Sequence, residues 1–263
     1  MIVDQHVHSL YSFDSQADLK SYADFDNRVL MTSEHVELCN SAHEGRDDIP
    51  DFAALHSQGQ ELAEELGIEF VMGMELGYAP DCLSRFLPLL DEFPNAVALL
   101  SIHQDEGTDF ALLGNSTSRY DRHDFCARYF SRVQEAIGAL GRHCRILSHL
   151  DYPFRYRHID AAYVFDEFSE EIHAILDSCQ ALGLAVEINT KSMFKYHNLD
   201  FYELLLEALE EHHALPITLG SDCHYAKDWH SHWPEASALC ATHGKTKYVR
   251  FHCDGSSQLQ PVI

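Results

Sequence analysis

The chain has 263 residues, 46% of them hydrophobic, with no Pro/Gly/Ser-rich linker and no fixed-period repeat, so a single domain over residues 1–263 is expected. Its 42 acidic against 18 basic residues leave a formal net charge of −24, a field that repels phosphate backbones and anionic membranes and argues against nucleic acid as a partner. Eight cysteines are scattered without a Cys-x-x-Cys pair, no apolar run of about 18 residues occurs and no signal peptide is evident; buried reduced thiols, no membrane and a cytoplasmic location are the expectations.

Ile2 to His8 reads as a short strand ending in Asp4-Gln5-His6-Val7-His8. Side chains in a strand alternate, so His6 and His8 leave one face and can converge on one ion. A lone His-x-His is more often surface polarity than a ligand pair, so the pattern carries weight only if it recurs. Ser9 to Asp18 is turn-like and holds Asp14, and Asp18 to Phe25 is expected as a short helix. Val29 to Thr32 is the second strand, followed by Ser33-Glu34-His35 and a loop rich in Gly, Asp and Asn that leads to Pro50. Phe52, Leu55, Leu62 and Leu66 keep helical spacing over Asp51 to Leu66, and Gly67 closes that helix. Glu69 to Met74 is the third strand and ends in Glu75. Pro80 to Phe93 is a helix opened by proline. Ala96 to Ile102 is the fourth strand, ending in His103, and a long loop precedes the helix Asp121 to Leu140. Arg145 to Ser148 is the fifth strand, ending in His149, and the loop after it carries Arg155, Arg157 and His158. A helix from Phe165 to Leu182, the sixth strand Ala185 to Asn189 and a helix from Leu199 to His213 follow. Pro216 to Ser221 is the seventh strand, ending in Asp222 and His224. The helix Pro234 to His243 and an extended run from Lys247 to His252 complete the series.

Strand and helix alternate about seven times, which implies an α/β fold with a parallel sheet and right-handed crossovers. Seven or eight units point to a closed barrel, with an open doubly wound sheet as the competing architecture. Every strand but the sixth delivers a histidine or carboxylate at its carboxyl end, and in a parallel barrel those ends share one mouth. Imidazole and carboxylate without thiolate is the ligand set of catalytic zinc, manganese or iron. The candidates are too many for one ion, so two or three divalent ions are expected, with one carboxylate shared by a pair about 3.5–4 Å apart.

The motifs Asp4-x-His6-x-His8, Thr32-Ser33-Glu34-His35, Gly73-Met74-Glu75, Ser101-Ile102-His103, Ser148-His149-Leu150-Asp151, Glu187-Ile188-Asn189-Thr190 and Gly220-Ser221-Asp222-Cys223-His224 together resemble the polymerase and histidinol phosphatase (PHP) family. Within it they are most similar to the stand-alone histidinol-phosphate phosphatase branch. The resemblance implies a distorted (β/α)7 TIM-like barrel with a trinuclear metal site at the carboxyl ends of the strands. It implies one ion held by His6, His8, Glu75 and Asp222, and a second by Glu75, His103 and His149. A third would be held by Asp14, His35 and His224. The implied reaction is hydrolysis of L-histidinol phosphate, a step of histidine biosynthesis, by a hydroxide bridging the first two ions. Glu75, Asp222, His224 and Asp14 then count as catalytic residues.

A phosphate dianion also needs cations beyond the metals. Arg155 and Arg157 after the fifth-strand motif and Lys195 after the sixth are the candidates, set against a reading as solvated loop charges. Three segments depart from the family pattern: Gln104-Asp105-Glu106, Thr190 to Lys195, and the His- and Trp-rich Asp228 to Trp233. They weaken the choice of substrate without touching the ligands. Other readings are a phosphodiesterase or exonuclease, against which the charge argues, a carbon–nitrogen or ester hydrolase, and a non-enzymatic metal-binding domain. Oligomeric state is not legible.

Overall fold

The computed structural model describes residues 3–22, 28–113, 120–245 and 247–261. Of the expected helix from Asp18, Leu19–Tyr22 forms a 3₁₀ turn, and Ala23 to Phe25 lie outside the described residues, as does Ile2 of the first strand. The second strand is longer than expected. β1 (Val29–Met31) continues after two residues into β2 (Glu34–Asn40), so His35 is not at a strand end. The chain then returns as β3 (Arg46–Asp48) through Glu44 and Gly45, both at positive φ, the conformation a tight reversal demands. The apolar–polar alternation of Val36, Glu37 and Leu38 is what carries the strand onward.

Helix α1 (Phe52–Leu66) is capped by Asp51, whose Oδ1 accepts from Ala54 N at 2.9 Å, and closed by Gly67 at φ +67°. β4 (Glu69–Val71) and β5 (Gly73–Gly77) together replace the third expected strand. After them come α2 (Leu83–Glu92), β6 (Val97–Ser101), the hairpin β7 (Gln104–Asp105) and β8 (Thr108–Asp109), α3 (Phe110–Leu113) and α4 (Arg122–Leu140). β9 is short (Ile146–Leu147). The helix expected from Phe165 is two helices, α5 (Ala161–Glu167) and α6 (Ser169–Leu182), because Phe168 leaves the helical region at φ −123° and ψ 24°. β10 (Ala185–Asn189), α7 (Leu199–Glu210), β11 (Ile217–Gly220) and α8 (Trp233–Thr242) match their expected positions closely. Lys247 to His252 is not a strand of the main sheet. It forms β12 (Lys247–Phe251) in an antiparallel hairpin with β13 (Ser257–Pro261).

The main sheet runs β11-β10-β9-β6-β5-β2-β3, parallel throughout except for the β2–β3 pair, and β1 pairs with β4 in parallel. Its hydrogen-bond ladder is open. The described part of the N-terminal segment makes one parallel bridge, Val7 with Cys223, and is otherwise held by single bonds on both sides. Gln5 N donates to Leu219 O at 3.2 Å, His8 N to Cys223 O at 2.9 Å, and Asp222 N to His6 O at 2.8 Å. On the other flank Ser33 N donates to Val7 O at 2.7 Å and Val7 N to Ser33 Oγ at 2.9 Å.

Strand alternation divides the sheet's two faces. Val186 and Ile188 of β10 pack among the helices, while Ala185 joins Val3, Met31, Val71, Leu99 and Ile146 in a small inner cluster sealed by Val249 and Phe251 of β12. Two residues further along the inner face of β10 stands Glu187, and two beyond Leu99 on β6 stands Ser101. The inner face therefore turns from apolar to polar along the strands. Among the described residues no helix is long and apolar enough to cross a membrane. Six cysteines are buried as expected, but Cys39 and Cys253 are exposed, Cys39 because it sits at the end of β2 with φ +54°.

Candidate metal centre

Glu75 is the hub. It is fully buried on β5 and faces five imidazoles. Its Oε2 lies 3.2 Å from His6 Nε2, 3.4 Å from His8 Nε2 and 2.9 Å from His35 Nδ1. Its Oε1 lies 2.8 Å from His149 Nε2 and 3.2 Å from His103 Nε2, and accepts from Ser101 Oγ at 2.7 Å. Asp222 Oδ1 is 3.5 Å from His8 Nε2. Four triads of donor atoms converge: His6-Glu75-His149, His6-His8-Asp222, His35-Glu75-His103 and His8-His35-His224. Asp14, half exposed, reaches His224 Nε2 at 3.0 Å and His35 Nε2 at 3.5 Å. All nine expected ligands thus come together, although His35 leans toward Glu75 rather than standing apart with Asp14 and His224.

The orientation of the rings is built in. A carboxylate that accepts a hydrogen bond from one imidazole N–H leaves the other nitrogen as a lone-pair donor. Glu187 Oε1 accepts from His6 Nδ1 at 2.7 Å, and Glu37 Oε1 from His103 Nδ1 at 2.5 Å, so both Nε2 atoms turn to Glu75. Glu187 Oε2 also accepts from His149 N at 2.7 Å. The sixth strand, which delivers no ligand, thereby delivers an orienting group. Neither carboxylate was a sequence candidate. The signal for Glu187 was its place inside a motif; Glu37 gave none, since its stretch read as loop. Two glycines make room for them: a Cβ on Gly220 would lie 2.1 Å from Glu187 Oε1, and one on Gly77 would lie 2.1 Å from Glu37 Oε2. Asp222 itself sits at φ +49°, a left-handed conformation that is costly for aspartate and that recurs at functional sites.

The donor set fits divalent cations. His6 Nε2, His8 Nε2, His35 Nδ1 and Glu75 Oε2 are buried, have no hydrogen-bond partner and face one another. Such orphaned polar atoms cost free energy unless something cationic satisfies them. Without a cation, protons take that part. Burial works against a charged His103, yet Glu37 and Glu75 push it up to about 10. His6 is likewise raised, by Glu187 and Glu75, and His35 by Glu75 and Asp14. Burial would raise Glu75, but His6, His35 and His103 hold it well below the usual carboxylate range. Lys191 and Arg155 do the same for Asp222.

A cavity of about 680 Å³ opens over this cluster. Arg155 is buried in its wall. Its Nη1 donates to Asp222 Oδ2 at 2.9 Å and its Nε to Ser192 Oγ at 2.7 Å, while its Nη2 has no partner. Ser192 Oγ in turn donates to Asp151 Oδ1 at 2.9 Å, which also accepts from Tyr202 OH at 2.7 Å. Lys195 borders the cavity, and so does the other lysine after the sixth strand, Lys191, whose Nζ is 2.9 Å from Asp222 Oδ1. Both lie on a π-helical turn, Lys191–Lys195, that follows β10. Arg157 stands apart from the cavity: its Nη2 donates to Tyr120 O at 3.0 Å and its guanidinium lies 4.5 Å from the Phe125 ring centroid. Trp229 and Trp233 are core packing, whereas His232 lines the cavity and stacks on Phe194 at 4.3 Å.

Comparison with known proteins finds relatives over most of the chain. A probable histidinol-phosphatase of Clostridium acetobutylicum is 26% identical over 233 residues, covering 86% of this chain and 87% of that protein. The histidinol-phosphatase of Lactococcus lactis subsp. lactis is 26% identical over 248 residues, with 86% of each chain covered. The crystal structure of the histidinol phosphate phosphatase from Lactococcus lactis subsp. lactis, complexed with zinc, L-histidinol and phosphate, superposes with a TM-score of 0.83 at 22% identity over 98% of both chains. The PHP domain profile matches residues 4–191, from the first aspartate of the His6-His8 motif to the lysine beside Asp222, and on that match the chain belongs to the PHP domain family.

Proposed function

We propose that the chain is a metal-dependent phosphomonoesterase that hydrolyses L-histidinol phosphate to L-histidinol and phosphate. The observation that carries this reading is the convergence of buried, unpartnered imidazole and carboxylate atoms beneath a cavity whose wall holds an equally unpartnered arginine nitrogen. The names of the two relatives supply the substrate.

Two to three divalent ions, zinc first and manganese or iron as alternatives, would be held by His6, His8, Glu75 and Asp222, by Glu75, His103 and His149, and by Asp14, His35 and His224. When bound they supply Lewis acidity and lower the pKa of water to near neutrality. The chain's own work is binding and orientation. Arg155 offers Nη2 to a phosphoryl oxygen while Nη1 keeps Asp222 aimed, and guanidinium geometry suits that double task. Lys191 and Lys195 add positive charge on the same wall, which screens the dianion from a strongly acidic chain. Glu37 and Glu187 keep the histidine tautomers fixed through turnover. The N-terminal segment, bonded to both β11 and Ser33, would make the open ladder a distorted barrel. A cytoplasmic enzyme with no nucleic-acid substrate completes the reading.

Phosphate release from L-histidinol phosphate, a sugar phosphate, a mononucleotide and a dinucleotide by zinc- or manganese-loaded protein tests it, with a His6→Ala/His8→Ala control. Preference for histidinol phosphate that vanishes in the control is expected. Turnover of another monoester would retain the chemistry and discard the substrate; no monoester turnover by metallated protein would overturn both.

A further inference from the structure

The cavity has two chemically different walls. The loops after β10 and β11 bring Arg155's partner Asp222, together with Lys191, Lys195 and Lys227. The hairpin after β6 brings a carboxylate, Asp109. We propose that Asp109 is a specificity-determining residue, selecting phosphomonoesters whose alcohol carries a cationic nitrogen. This rests on the phosphomonoesterase reading and deepens it.

The other carboxylates of the floor are committed. Glu75 and Asp222 face the imidazoles, Glu37 accepts from His103 Nδ1, and Asp14 reaches His35 and His224. Asp109 is not. One of its oxygens, Oδ1, accepts from Ala111 N at 2.7 Å at the start of α3, which aims the carboxylate; Oδ2 has no partner among the described residues. The hairpin that carries it is fastened to α4. Glu106 and Gly107, at φ +49° and +69°, form the tight turn of the β7–β8 hairpin. Asp105 is clamped by Arg128 Nη2 at 2.8 Å and Arg132 Nη2 at 3.2 Å, and Glu106 by Arg128 Nη2 at 2.9 Å, all from α4. This is the segment Gln104-Asp105-Glu106 that departs from the family pattern, and its unusual acids are the ones that fasten it.

Position completes the argument. Tyr152 connects the two walls: its ring centroid is 4.6 Å from that of His103, after which the hairpin begins, and 5.1 Å from the Arg155 guanidinium. A substrate with its phosphoryl group at Arg155 and the metals therefore extends its alcohol past Tyr152 toward Asp109. An ammonium there makes a charge-assisted hydrogen bond, and an alcohol without one leaves a half-buried carboxylate unsatisfied. Asp228, the cavity's other uncommitted acid, lies on the cationic wall and serves as the control.

The test compares kcat/KM for two pairs of esters alike except for the amine: L-histidinol phosphate with its deamino analogue, and phosphoethanolamine with ethyl phosphate. In metal-loaded wild type the amine ester is expected to lead by about tenfold or more. Asp109→Asn, which keeps the Ala111 bond, should collapse that lead through KM while leaving the amine-free ester unchanged; Asp228→Asn should preserve it. No amine preference in wild type, or equal losses on both members of a pair, would overturn the role of Asp109. If neither histidinol ester is turned over, the assigned substrate fails on its own, and the phosphoethanolamine pair still decides the Asp109 question.

Discussion

Gly220 shows how little room the centre leaves at the scale of single residues. Its missing Cβ is the space that Glu187 fills to hold His6, and an added methyl would also meet His6 Cβ at 2.6 Å. Gly220→Ala should fold but release metal about 10- to 100-fold more readily, as loss of an orienting carboxylate does; metal retained after dialysis against a graded chelator measures it. His230 offers a second reading at this scale. It packs against Trp229 and Trp233, with ring centroids 4.5 Å and 4.6 Å away, and burial lowers its pKa from 6.5 to about 4. The unfolded chain then takes up a proton below pH 6.5 that the fold refuses until about 4. Stability from this residue is intact above 6.5 and falls as the pH drops through that window, by about 2.5 kcal/mol at pH 4.5. In urea titrations the loss between pH 7 and pH 4.5 should be smaller by about that amount in His230→Asn, a residue that tolerates the φ of +57°. Equal losses in the two proteins would contradict this account.

Among the elements, the C-terminal hairpin behaves as a plug. Gln5, next to His6 of the candidate metal centre, donates from Nε2 to Val249 O at 2.6 Å and accepts at Oε1 from Phe251 N at 3.0 Å. Gln5→Ala leaves two buried backbone groups of β12 unpaired, so about 1–3 kcal/mol of stability should be lost. If the plug only seals the inner cluster, kcat at 25 °C should change little while the melting temperature falls. A parallel fall in kcat would mean the hairpin also sets the His6-His8 register. The elements most legible from sequence were those with strong local signals: α1 with its Asp51 cap and Gly67 stop, and the apolar runs of β6, β10 and β11. The N-terminal strand and the end of β2 were misread because tertiary hydrogen bonds decide them, single bonds to Cys223 and Ser33 in one case and pairing with β3 in the other.

At the scale of the whole molecule, the chain gathers buried imidazoles and carboxylates in one place, where divalent cations would satisfy their unpartnered atoms. Divalent ions held by the proposed centre would bind the folded arrangement far better than the unfolded chain, so their removal should lower stability as mass action requires, by about 3–4 kcal/mol for ligand at 100 to 1,000 times its Kd. Calorimetry with and without chelator should show a melting temperature several degrees lower in the metal-free protein, restored by zinc or manganese. An unchanged melting temperature would mean that the protonated imidazoles satisfy the centre unaided.

The order of histidines and carboxylates along the chain was enough, by itself, to indicate the α/β alternation and a shared cluster of His6, His8, His35, Glu75, His103, His149, Asp222 and His224, because each depends on local spacing and on which face a strand side chain takes; Asp14 and the family came from the resemblance of the motifs. Folding alone decided which charged residues serve the cavity. Arg155 and Arg157 are two apart in one loop, yet one turns inward to Asp222 and the other lies over Phe125. Glu37 and Glu187 became orienting groups only through neighbours 66 and 181 residues away. Periodicity reports the face a residue occupies on its own strand; it carries no information about which distant group will stand opposite, and in a buried site that partner sets the charge, the tautomer and the role.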